Sequence, residues 1–206
     1  MHDYQRFSED LDFDNFNITA EQFDQGLAVI AEGLKLQGYT VEFKTINKGA
    51  YHCYIRFPKM LFERRLSGYE QEKILIQLDT EAQQFNFKPN TVLLNRFDTI
   101  ARIFTTPTDI MLAQKFYVIL NRPRNKGRDF YDVVFLLGLG IKPDYRYFVQ
   151  KAGIENLTLL KERLLAHCET LDMNDMAKDV DPFLFCKADR NKVILFTDIM
   201  KQAGLC

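Results

Sequence analysis

The chain has no tryptophan, and its 206 residues include only three histidines and four cysteines. His2, His52 and His167 are scattered, so spacing gives no histidine-based metal site. Cys53, Cys168, Cys186 and Cys206 stand alone, without the short Cys-x-x-Cys spacing that zinc sites and redox pairs need. Reduced thiols in a cytoplasm are the plain reading. No apolar run approaches the roughly 18 residues of a membrane-spanning helix, so no membrane partner is expected. The segment Met1 to Arg6 lacks the apolar stretch of a signal peptide. Surplus charge is missing too: 27 basic against 28 acidic side chains leave a net charge of -1. Attraction to phosphates therefore has to come from local patches. No internal repeat, low-complexity tract or long linker is visible.

What is present is the inventory of a soluble globular protein, 47% hydrophobic and 27% charged, with 18 Phe and nine Tyr. The length fits one large domain or two small ones. Patterning predicts an α+β chain: strand-like and helix-like segments mix over 1–106, and 107–206 is nearly all helical. The two are expected to be packed lobes rather than tethered domains.

Residues 7 to 14 alternate, with Phe7, Leu11 and Phe13 on one face and Ser8, Asp10, Asp12 and Asp14 on the other; Glu9 breaks the pattern. Thr19 caps a helix over 20–37 that carries Phe23, Leu27, Ile30, Ala31 and Leu34 at helical spacing, and Gly38 ends it. Strands over 39–46 and 51–57 form a hairpin through Asn47-Lys48-Gly49. A basic loop or short helix with Lys59, Arg64 and Arg65 follows. Strands are predicted over 72–79, 92–97 and 100–105. From Pro107 the period becomes helical: Thr108 caps a helix reaching Asn121, and a second runs from Gly127 to Gly138. Further helices are expected over 143–151, 155–171 and 189–203.

Three constellations carry chemistry. Asp10 and Asp12, two apart on a strand, project to the same side, where oxygen ligands suit Mg²⁺ completed by substrate phosphates. Taken alone, a polar edge strand with an acidic solvent face explains them equally well. Asp79 ends an otherwise apolar run on the polar face of a second strand. It reads as a third metal ligand, as the base that orients a hydroxyl, or simply as an acid opening a turn. The third constellation is Lys115 with the basic turn Arg122-Pro-Arg124-Asn-Lys126-Gly-Arg128, followed by Asp129 and Asp132 on one helical face. Such a cluster grips a triphosphate or an RNA backbone, with the acids holding the cations; a solvated charged turn is the bland alternative.

In this order the pieces resemble the AbiEii-type nucleotidyltransferase toxin family. The resemblance rests on Arg6-Phe-Ser-Glu-Asp-Leu-Asp-Phe-Asp14, on Asp109-Ile-Met-Leu-Ala-Gln-Lys115 and on Lys126-Gly-Arg-Asp-Phe-Tyr-Asp132. It covers most of the chain. It implies a nucleotidyltransferase fold: a mixed β-sheet lobe flanked by helices over 1–106 and N-terminally incomplete, then a helical lobe over 107–206. It implies Mg²⁺-dependent transfer of a nucleotide from an NTP to an RNA acceptor, with tRNA expected. It also implies a cognate antitoxin, in a toxin–antitoxin or phage-defence system. By position, Asp10 and Asp12 match the metal carboxylates, and Asp79 matches the second-strand acid less closely. Lys115 matches the lysine of the Asp-x₅-Lys helix, and Arg128, Asp129 and Asp132 match the late Arg-Asp motif. Asp10, Asp12, Lys115 and Asp129 are expected to be catalytic, and Ser8, Lys126, Arg128 and Asp132 to bind the nucleotide.

Similar proteins carry a Gly-Gly-Thr/Ser segment just before the Arg6 strand, and Met1 to Gln5 do not contain it. An upstream extension is therefore expected, or else an inactive 206-residue product with exposed apolar surface that dimerises. The reading from another class is an inactive remnant of the fold that binds a nucleotide or a partner.

Overall fold

The computed structural model describes residues 4–8, 10–82, 84–96 and 99–203. It is a mixed α+β protein. The expectations for Glu9 and for the end of the strand at Phe97 fall outside the described residues. The chain divides into two compact units, a sheet unit of Ser8–Gln84 and a helical unit of Met1–Phe7 with Phe85–Cys206. The division falls at 84/85, whereas patterning drew it at 106.

Among its described residues the sheet unit holds four strands in the order β1-β4-β3-β2, with β1 (Asp10–Asp14) parallel to β4 (Lys73–Glu81). β2 (Glu42–Lys48) and β3 (Ala50–Pro58) form the predicted hairpin, and β3 pairs antiparallel with β4. Helix α1 (Ala20–Leu36) opens on a capping box. The Thr19 side chain accepts from the Gln22 backbone, and the Gln22 side chain accepts from Thr19. Its stripe buries Phe23 and Leu27 against Cys53, Ile55, Phe57 and Leu78 of the sheet. Burying such side chains stabilises by about 2 kcal/mol each. Gly38, at φ 85, reverses the chain where a side chain would be strained. One short helix, α2 (Met60–Glu63), lies in the basic loop.

Alternation gives the sheet two unlike faces. Leu11 pairs with Leu78, which pairs with Cys53 on the apolar face under α1. On the edge strand, Leu11 and Phe13 of that face stay half exposed. The polar face carries Asp10 beside Gln77, then Asp12 beside Asp79 beside His52.

In the helical unit, β5 (Asn90–Arg96) and β6 (Thr99–Thr105) form a two-stranded hairpin. Among the described residues seven helices follow: α3 (Thr108–Asn121), α4 (Gly127–Gly138), α5 (Tyr145–Ala152), α6 (Leu157–Cys168), α7 (Met173–Val180), α8 (Asn191–Ile194) and α9 (Phe196–Gln202). The first two match their predicted spans. Thr108, however, is the first residue of α3 rather than its cap; the N-cap is Pro107, whose fixed φ suits a helix start. The helix expected over 189–203 is broken into a 3-10 turn over Lys187–Arg190, α8 and α9. The expected strand over 7–14 is also shorter. Phe7 instead donates its backbone N–H to Phe183, and Arg6 bridges Leu184 in the helical unit.

The helical core is built around Phe116, Phe130, Tyr131, Phe148 and Phe196, with Phe130 edge-on to Phe196 at 4.9 Å. Helices α4 and α7 meet at Gly127. A Cβ there would lie 1.9 Å from the Met176 carbonyl oxygen, so only glycine permits this approach.

Candidate functional site

The sequence-predicted residues sit in two groups, one in each unit. In the sheet unit, Asp10 and Asp12 project from the polar face of edge strand β1, one row apart, and Asp12 is exposed. Adjacent strands run about 4.8 Å apart, so Asp79 of β4 is the immediate lateral neighbour of Asp12. Asp79 is already engaged. Its Oδ1 lies 2.7 Å from His52 Nδ1, and its Oδ2 accepts from Gln77 Nε2 at 2.7 Å. Among the described residues no three His, Cys, Asp or Glu side chains converge as a metal cage. The half-buried Asp10 with the exposed Asp12 nevertheless suits Mg²⁺, which takes one or two protein carboxylates and fills its shell with phosphate oxygens and water. Ser8 stands before this strand, its hydroxyl 3.4 Å from the Asp10 carbonyl, an exposed and long contact.

In the helical unit, Lys115 of α3 is held between both acids of α4, 2.9 Å from Asp129 and 2.9 Å from Asp132. Arg6 forms a two-pronged pair with Asp132, each contact 2.7 Å, and Arg122 reaches Asp129 at 2.7 Å. Three cations thus face two carboxylates, leaving one positive charge in excess. Asp132 is 1% exposed and Arg6 9%, while Lys115 keeps 26% of its side chain in reach of solvent. Burial alone would lower the Lys115 ammonium, but Asp132 and Asp129 outweigh it and hold its pKa above the usual lysine range. The same opposition, burial against Asp132, leaves Arg6 raised. Tyr4 stacks the other side of this segment, 4.8 Å from Phe135, and Arg6 lies over its ring at 5.4 Å.

The basic turn divides its four cations. Arg122 faces Asp129, and the Arg128 guanidinium lies 4.3 Å over the Phe183 ring. Arg124 and Lys126 are exposed, and the Lys126 carbonyl accepts the Asp129 N–H as α4 begins. Asp129 and Asp132 do share a helical face, as their spacing requires. Reading the sequence picked out neither Arg6 nor His52 as a site residue. Arg6 was visible only as part of a motif, and its partner Asp132 lies 126 positions away. For His52 the available signal was its place on the polar face of a strand that would pair with the Asp79 strand.

The sheet unit thus carries paired aspartates on its edge strand, and the helical unit holds a charged lysine between two acids. The family described as "Nucleotidyl transferase AbiEii toxin, Type IV TA system" matches residues 1–189, and the chain belongs to it. It is therefore a nucleotidyltransferase toxin of a type IV toxin–antitoxin system. No curated protein matches the chain.

Proposed function

We propose that the chain transfers a nucleotide from an Mg²⁺-bound NTP to an RNA acceptor, tRNA being the first to test. The observation that carries this is the Asp10–Asp12 pair on the open polar face of β1, beside Asp79. Asp10 and Asp12 are the metal-holding carboxylates in this reading. When bound, Mg²⁺ offsets charge on the triphosphate and favours its attack by a hydroxyl. Asp79, with both oxygens already accepting hydrogen bonds, takes the hydroxyl-orienting role rather than that of a third ligand. Lys115 meets nucleotide phosphates with the proton its two acids leave over. Asp129 and Asp132 fix the ammonium in place; Lys126 and Arg128 in the helical unit, and Ser8 in the sheet unit, are each assigned to nucleotide binding in this reading.

Replacing both Asp10 and Asp12 by Asn tests this. Calorimetric titration is expected to show Mg²⁺-dependent NTP binding lost while thermal stability barely changes, since removing like charges from one face relieves repulsion. Labelled-NTP transfer to total tRNA is expected to vanish with it. A double variant that binds and transfers normally would sink the metal assignment. Lys115→Ala is expected to weaken triphosphate binding by about 1.5–3 kcal/mol, and monophosphate binding by less. Equal losses for the two ligands would mark the lysine as structural.

A further inference from the structure

We infer that His52, backed by Asp79, receives the proton of the acceptor hydroxyl during nucleotide transfer. The inference rests on the nucleotidyl-transfer reading of this same sheet face.

Asp12, Asp79 and His52 occupy one row across three neighbouring strands, β1, β4 and β3. Strand spacing puts the His52 backbone about 10 Å from that of Asp12, with Asp79 between them. The His52–Asp79 contact of 2.7 Å joins the Nδ1 side of the ring to the carboxylate. Gln77 donates to the other carboxylate oxygen at 2.7 Å, so Asp79 is tethered on both sides. An ionised carboxylate only accepts hydrogen bonds, so the nitrogen facing it carries the hydrogen. That leaves Nε2 with its lone pair, and it has no hydrogen-bond partner among the described residues. The side chains of His52 and Asp79 are 34% and 26% exposed, open enough for a solute hydroxyl to reach the ring. An imidazole oriented by a carboxylate through Nδ1, with Nε2 bare, is the arrangement of a general base. A purely structural pair would need no accessible second nitrogen.

The step balances with the groups named. The acceptor oxygen forms a bond to the α-phosphorus as the bond from that phosphorus to its bridging oxygen breaks. Pyrophosphate leaves with the electron pair, and the hydroxyl proton moves to His52 Nε2. Asp79 stabilises the imidazolium until water removes the proton.

Two measurements on the full chain test this. The first needs no turnover: ¹⁵N NMR of the histidine rings in metal-free protein, at a pH where imidazole is neutral. The expected spectrum shows His52 protonated at Nδ1 and bare at Nε2, with that preference lost in Asp79→Asn. A ring protonated at Nε2 overturns the proposal. The second is transfer from α-labelled NTP to total tRNA by His52→Gln. Its turnover is expected to fall on the order of 10²–10⁴-fold. Its Mg²⁺–NTP dissociation constant and melting temperature should stay near those of the wild type. Turnover within threefold of wild type overturns the role of His52 while leaving the transferase reading intact. If the wild-type chain binds Mg²⁺–NTP but transfers nothing to RNA, the functional reading falls and the proton role falls with it.

Discussion

Asp132 is almost completely enclosed, and its two partners carry full positive charges: Arg6 on one side and Lys115 on the other. Removing one member of such a group leaves the remaining charges buried without compensation, a loss typically of about 3–5 kcal/mol. Asp132→Asn is therefore expected to lower urea-unfolding stability by about 3 kcal/mol. His52→Gln, at a partly exposed pair, should cost under about 1 kcal/mol. Equal effects would mean that Asp132 is more solvated than its surroundings indicate. The cysteines allow a simpler check. Cys53 and Cys168 are buried, and burial pushes the Cys168 thiol up to about 11, so little thiolate exists there at neutral pH. Cys186 is exposed. Among these three, a thiol reagent followed by peptide mapping is expected to label Cys186 in the native protein, and Cys53 and Cys168 only after unfolding.

At the scale of elements, the α4–α7 contact depends on Gly127. With the Met176 carbonyl oxygen 1.9 Å from where a Cβ would sit, Gly127→Ala must push the helices apart. Overpacking of this kind costs about 1–3 kcal/mol, and the obstacle here is backbone, which yields less readily than a side chain. The upper end is expected, read as a lower urea midpoint with an unchanged slope. A stability equal to wild type would show that the two helices can separate freely. The elements best read from sequence were those with several turns or clean alternation: α1, the β2–β3 hairpin, α3 and α4. Helix α7 was not read. Met173 to Val180 span barely two turns, and among them only Ala177 and Val180 are buried, too short a stripe to register as a period. The break between α8 and α9 was missed for a related reason. Both pieces bury apolar residues, Val193 then Phe196 and Met200, at spacings one continuous helix would also allow.

At the scale of the molecule, the two units differ in how much apolar surface they enclose. Among the described residues, twenty-one are buried in the helical core and six in the sheet core. The helical unit is therefore expected to hold its amide protons longer. In hydrogen exchange under mild denaturant, α3 and α4 should be the last to exchange. The sheet unit should lose protection earlier, as should the β5–β6 hairpin, where Leu93, Ile100 and Phe104 are exposed. Sheet amides that outlast α3 and α4 would reverse this ranking. Local pattern by itself determined the α+β class, most strands and the long helices. It also put Asp10 with Asp12 and Asp129 with Asp132 on shared faces, because side-chain direction follows the two-residue and 3.6-residue repeats. Only the tertiary structure decided that Asp79 is engaged by His52 across a strand pair, that Arg6 closes on Asp132, and that the described residues of 4–7 and 85–105 group with the helices. Those outcomes depend on which strands pair and which helices pack. Contacts between positions 27 or 126 residues apart leave no periodic trace in the chain.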